Sequence, residues 1–159
     1  MVEIMPFGRM EGMSVEQICV RDYKYFTYIL DNIEIRKRSL AERFDFVEFV
    51  VNHFKSQAPC GNTGCEEVPR YISIYHNARM NVRDSSLGFI YCSEDCFQRD
   101  GNASHENTSL QPLRFRTAVS STKTDTNRLV NVIGRAMGLK QGRLSQEYLE
   151  KFFDEVTCW

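Results

Sequence analysis

Cys60-Gly-Asn-Thr-Gly-Cys65 and Cys92-Ser-Glu-Asp-Cys96 decide how the middle of this chain folds. Two closely spaced cysteine pairs, held apart by 26 residues, suit an ion that takes four ligands tetrahedrally. The glycines of the first pair allow a tight turn that points both sulfurs inward and lets backbone N–H groups approach them. The second pair follows a predicted strand and opens a predicted helix, where the helix dipole favours thiolate. Between the pairs, Tyr71-Ile-Ser-Ile-Tyr75 alternates as a half-buried strand with Ile72 and Ile74 on one face. Residues 77–86 are polar and turn the chain, and Leu87-Gly-Phe-Ile-Tyr91 reads as a second strand. The expectation is a β-hairpin carrying one structural zinc on Cys60, Cys65, Cys92 and Cys96. Four thiolates would fill the coordination sphere and leave no position for a reacting water.

Alternatives remain for these cysteines. They could form two disulfides, or His76 or His105 could replace one sulfur, although neither histidine lies at a tight spacing to the pairs. His53 reads as a surface histidine, Cys19 as a small buried hydrophobe and Cys158 as a free tail thiol.

Composition bounds the rest. The chain has 159 residues, 42% apolar and 26% charged, which is the profile of a folded protein. A net charge of -1 gives no global attraction to nucleic acid or anionic lipid. Apolar runs such as Val47–Val51 are too short to span a bilayer, and residues 1–13 do not read as an export signal. An intracellular location, cytoplasmic or nuclear, with reduced thiols is expected, and no membrane partner. The charge is nonetheless uneven. Within 101–143, Arg114, Arg116, Lys123, Arg128, Arg135, Lys140 and Arg143 face only Glu106 and Asp125. Such a run forms either a local anion-binding patch or a solvated surface.

Helical patterns flank the cysteines. Ser14-Val-Glu-Gln17 matches a capping box ahead of Val15, Ile18 and Cys19, and Asp22 is the next N-cap, before Phe26, Ile29, Leu30 and Ile33. A second capping box, Ser39-Leu-Ala-Glu42, is predicted to open a long helix. Its stripe is Leu40, Phe44, Val47, Val51 and Phe54, widened by Phe46, Phe49 and Val50. Asn102 to Gln111 reads as a loop. Leu129, Val132, Ile133, Ala136 and Met137 form a stripe ending at Gly138, a C-cap. Ser145 caps a last helix with Leu144 and Leu149 as a staple and Tyr148, Phe152, Phe153 and Val156 on its buried side. The fold class expected is α+β, mostly helical. Three segments are expected: a helical 1–57, a zinc finger at 58–100, and a basic loop with two helices at 101–159.

Two resemblances add to this. Tyr91-Cys92-Ser93-Glu94-Asp95-Cys96-Phe97 resembles the second half of treble-clef zinc fingers of the MYM-type and TRASH-like groups. There both pairs bind one zinc that supports folding, although a first pair with two intervening residues is commoner than the four found here. Met5-Pro-Phe-Gly-Arg-Met-Glu-Gly12, Val15-Glu-Gln-Ile18 and Asp22-Tyr-Lys-Tyr25-Phe-Thr-Tyr28-Ile-Leu30 together are similar to the exodeoxyribonuclease X-like C-terminal domain. That module also occurs in short bacterial proteins described as quorum-sensing-regulated factors. Arg9 stands at its first basic position, Glu11 replaces the second, and Tyr28 stands where the family prefers Trp. Gly8 and Gly12 would permit a hairpin-like start, with Phe7 anchoring it on the helices. In the exonucleases this domain lies outside the catalytic one, so the resemblance implies an accessory role at nucleic acid.

No catalytic constellation is legible. There is no phosphate-binding Gly-Lys-Ser/Thr loop and no set of strand-borne carboxylates for a two-metal nuclease. Ser120-Ser-Thr-Lys-Thr124 suggests anion binding or simply a loop, and Glu66, Glu67, Glu94 and Asp95 flank the cysteines without an evident substrate. The expected function is a non-catalytic zinc-binding accessory module for DNA or RNA, with Arg9, Arg114, Arg116, Lys123, Arg128 and Arg135 as phosphate contacts. The alternative is a zinc-stabilised adaptor for a protein partner. Neither implies a small-molecule substrate.

Overall fold

Residues 4–14 fold back on themselves before the first helix begins. In the computed structural model, which describes residues 2–75, 90–100, 108–119, 122–142 and 144–159, Ile4 and Ser14 form an antiparallel bridge. The Met5 N–H donates to the Met13 carbonyl at 2.8 Å, and the Gly12 N–H to the Met5 carbonyl at 3.0 Å. Gly8 has φ +78°, and a Cβ there would stand 2.7 Å from the Tyr25 hydroxyl, so conformation and contact both demand glycine. The anchor is Met5, fully buried, and not Phe7, which is 39% exposed at the hairpin tip.

Helix α1, Val15–Arg21, starts at the capping box read from the sequence, with Ser14 and Gln17 satisfying each other's backbone N–H groups. Asp22 ends α1 and caps α2, Tyr23–Asn32. Helix α3, Arg38–His53, departs from expectation. Its N-cap is Lys37 and no side chain caps it. Ser39 and Lys37 both serve Glu3 of the hairpin, Lys37 at 2.7 Å, and hold that carboxylate below its usual pKa, the Lys37 hydrogen bond foremost. Glu42 pairs with Arg38. The buried stripe of α3 is also narrower than predicted: Val50 joins it, but Phe46 and Phe49 face outward. Phe46 lies under the Arg43 guanidinium and Phe49 stacks on His53.

The sheet has three antiparallel strands in the order β2-β1-β3: β1 Tyr71–Tyr75, β2 Ile90–Tyr91 and β3 Thr108–Pro112. Tyr71 faces Tyr91 on one side and Pro112 on the other. The third strand corrects the end of the loop expected at 102–111, from 108 on; 102–107 lie outside the described residues. Thr108-Ser-Leu-Gln-Pro112 is too polar to resemble a core strand, and it forms a half-exposed edge that such residues tolerate. The expected turn at 77–86 and the start of the strand at 87 lie outside the described residues. After β2 comes α4, Glu94–Arg99.

A 3-10 turn at Phe115–Ala118 leads to α5, Lys123–Met137, capped by Thr122 and closed by Gly138 at φ +102°. Helix α6, Gln146–Glu155, is capped by Ser145 as expected. The chain then returns along the end of α3, where the Lys55 N–H donates to Thr157 and the Trp159 N–H to His53.

One apolar cluster takes residues from every part of the described chain, including Met5, Ile18, Phe26, Phe44, Ile72, Ile90, Phe115, Ile133 and Phe153. Its aromatic centre is Phe26 stacked on Phe44 at 5.2 Å and Tyr23 edge-on to Phe115 at 5.3 Å. None of the helices among the described residues is long and apolar enough to cross a membrane.

Arg43 ties three helices, bonding Glu16 of α1, whose side chain is 1% exposed, and Asp154 of α6. Removing the guanidinium leaves the Glu16 carboxylate buried and unpaired. Arg43→Met is expected to lower unfolding free energy by about 3 kcal/mol, measured by urea denaturation.

Candidate metal centre

The first two thiols come from the 60–65 turn. The Gly61 N–H donates to the Ile90 carbonyl at 2.7 Å, which fastens the turn to β2, and the Cys65 N–H closes on Asn62 at 3.1 Å. Gly64 adopts φ +85°, which the tight return requires. The other two thiols bracket the start of α4. Cys92 follows β2 directly, Ser93 caps the helix by accepting from the Cys96 N–H, and Cys96 sits in the first turn.

The four sulfurs converge within 4.8 Å of one another. Cys92 and Cys96 stand 3.4 Å apart, Cys65 and Cys92 3.5 Å, and Cys65 and Cys96 3.7 Å. A tetrahedron with metal–sulfur bonds of about 2.3 Å has edges of about 3.8 Å, so a thiophilic ion fits the space between them. All six cysteines are free, so the alternative of two disulfides is not realised. His76 and His105 lie outside the described residues. The group could hold a metal ion, and its sulfur-only donor set suits a soft or borderline ion over calcium or magnesium.

The surroundings tune the thiols unequally. The Asn62 side-chain amide donates to Cys96 Sγ at 3.5 Å, and this bond, with a second from Cys92, pulls the Cys96 pKa down to about 7. Burial pushes Cys92 up to about 12. At Cys65 the Glu67 N–H favours thiolate, but burial and the neighbouring Cys96 and Cys60 sulfurs keep its pKa raised. Around the sulfurs a small second core forms from Cys60, Tyr91, Cys96 and Phe97, separate from the main one. Tyr91 lies edge-on to Phe97 at 5.4 Å and donates its hydroxyl to Asp100. Glu66, Glu67, Glu94 and Asp95 are all exposed.

The sequence did not single out Asn62 as a side-chain partner, although an amide inside a Cys-Gly-Asn-Thr-Gly-Cys turn is the available signal. Nor did it reveal the second task of Asp22. That carboxylate, 1% exposed, caps α2 and accepts from both Arg9 at 2.7 Å and Lys123 at 2.8 Å. The other basic candidates scatter. Arg116 is bound to Glu48 and also meets Asp31 at 3.6 Å. Arg128 lies 3.9 Å from Asp125, and Arg114 is exposed beyond β3. Arg135 lines a cavity near the end of α5. Of the Ser120–Thr124 stretch, Thr122 serves as a helix cap and Lys123 as a partner of Asp22.

No protein-family model, curated protein or solved structure matches the chain.

A metal binds thiolates, so loading must displace the protons that Cys92 and Cys65 hold at neutral pH. Affinity should fall as pH drops, about tenfold per pH unit for each proton displaced. Competition against a chromophoric chelator at a series of pH values measures that slope, and a flat profile would show that the thiols are not the ligands.

Proposed function

We propose that this chain is a zinc-stabilised, non-catalytic module that associates with single-stranded nucleic acid through its N-terminal hairpin and α2. Zinc is favoured by the all-thiolate set and the tetrahedral spacing. Such a site holds structure together, because no coordination position is left for substrate.

One observation carries the nucleic-acid half. The Arg9 guanidinium lies 4.3 Å over the Tyr25 ring, and Tyr25 stacks on Tyr28 at 6.2 Å with 14° between planes. Tyr28 is 53% exposed and Phe7, at the hairpin tip, 39%. Beside this ladder, Arg9 and Lys123 share the single buried carboxylate of Asp22, which leaves one positive charge in excess. Aromatic faces next to cations are the chemistry by which proteins hold unpaired bases and their phosphates. The resemblance of this hairpin to an exonuclease accessory domain points the same way. Arg116 drops out as a phosphate contact, because Glu48 and Asp31 occupy it.

A second proposal, a protein-interaction adaptor, is supported by a different surface. Trp159 is half exposed, with Arg70 3.8 Å and Lys55 4.9 Å from its ring, and Phe49 is exposed as well. A nuclease-resistant complex lost in Trp159→Ala would favour it.

Fluorescence anisotropy with a labelled single-stranded oligonucleotide separates the two. Binding should weaken with salt, with a log–log slope between about -1 and -3 for a few phosphate contacts. Tyr28→Ala should cost about 1–2 kcal/mol, roughly tenfold, without loss of folding. Absence of binding at about 20 mM salt would remove the nucleic-acid role.

A further inference from the structure

At the far end of α5 the surface opens into a cavity of about 270 Å³, walled by Val20, Val130, Leu139 and Leu144 and edged by Arg135 and Lys140. Val20 and Val130 are buried, so the floor is apolar. Among the described residues, no carboxylate lines it. That sets Arg135 apart from Arg9, Arg43 and Arg116, each of which meets an acidic partner. Arg135 is half buried, and its Nε is shielded from solvent without a hydrogen-bond partner among the described residues. A shielded guanidinium N–H without an acceptor costs free energy, which an anion drawn to the half-buried guanidinium would offset.

The turn that shapes the cavity is held firmly. The Gly138 and Leu139 N–H groups take the Arg135 and Gly134 carbonyls, so two of the last carbonyls of α5 are satisfied. The Lys140 N–H donates to the Tyr148 hydroxyl at 3.1 Å, which fixes the turn against α6. Asn131 and Gln141 add amides at the rim. The exposed lining residues are therefore cationic and polar, and the buried ones apolar.

We propose that this cavity binds a small organic anion, a carboxylate or phosphate group carried on an apolar body, with Arg135 and Lys140 facing the charge. The Arg135 end of α5 lies roughly 18 Å along the helix from Lys123, so this site is separate from the Arg9–Tyr25–Tyr28 ladder and independent of its function. Arginine suits both head groups because its planar fork pairs with either.

The metal-loaded full chain can be titrated at constant ionic strength with benzoate, benzyl alcohol and inorganic phosphate, following amide chemical shifts. Saturable benzoate binding in the millimolar range or tighter, shifting Val130, Arg135, Leu139 and Gly142, is expected. Benzyl alcohol should bind at least about tenfold more weakly. Arg135→Met should lose at least about tenfold in benzoate affinity, Lys140→Gln less, and Arg135→Lys should retain part of it. Phosphate binding without benzoate binding, if Arg135-dependent, would assign the phosphate form of the ligand. No saturable shift with either anion up to about 50 mM would overturn the proposal. So would equal binding of the alcohol, or binding unchanged in both Arg135 variants.

Discussion

Four thiol sulfurs within 4.8 Å of one another are a demanding arrangement for a polypeptide to hold unaided. The elements that carry them are slight: a glycine-bearing turn, a strand of two residues and a helix of six. Isolated helices and strands of that length are unstable in water. Among the described residues, the apolar cluster around them has only Tyr91 and Phe97 as large buried side chains. Ionising the sulfurs without a cation between them would add mutual repulsion to the burial that already raises the pKa of Cys92. A metal ion held by the four sulfurs would remove that conflict and join 60–65 to 92–96 at one point. From there, order passes to the main core through hydrogen bonds from Gly61 to Ile90 and from Arg70 to Tyr91.

The opposite end depends on charge in a different way. Asp22 is almost wholly buried, yet it caps α2 and accepts from Arg9 of the hairpin and Lys123 of α5. One carboxylate thus joins three elements distant in sequence, and it holds Arg9 over Tyr25. A network of this kind orients cations and aromatic faces on the surface, which is what a stacking platform needs. The same pairing explains why a run of basic residues in the sequence overstates the positive surface, since Arg116 and Lys123 both end on acids.

Local signals were legible where the deciding partners lie close in sequence. The Ser14–Gln17 box, the Asp22 and Ser145 caps and the left-handed Gly138 all rest on contacts within about one helical turn. The cysteine grouping was legible because ligand chemistry restricts the spacing so strongly. Failures came where a distant group competed. Glu3, 36 positions upstream, engages Ser39 and displaces the second capping box. Phe46 and Phe49 fit a widened stripe by periodicity, but both stay exposed, and among the described residues no element covers that side of α3. Strand β3 was missed because an edge partner for β1 can be polar, so Thr108–Pro112 carries no alternating apolar pattern. At the hairpin, Met5 and Phe7 are equally apolar in sequence, and only the ladder geometry shows which points inward.

X-ray absorption at the zinc edge of the purified protein tests the central claim most directly. The account predicts one zinc per chain with a first shell of four sulfurs at about 2.3 Å. A shell containing nitrogen or oxygen, or a folded protein that carries no metal, would contradict it.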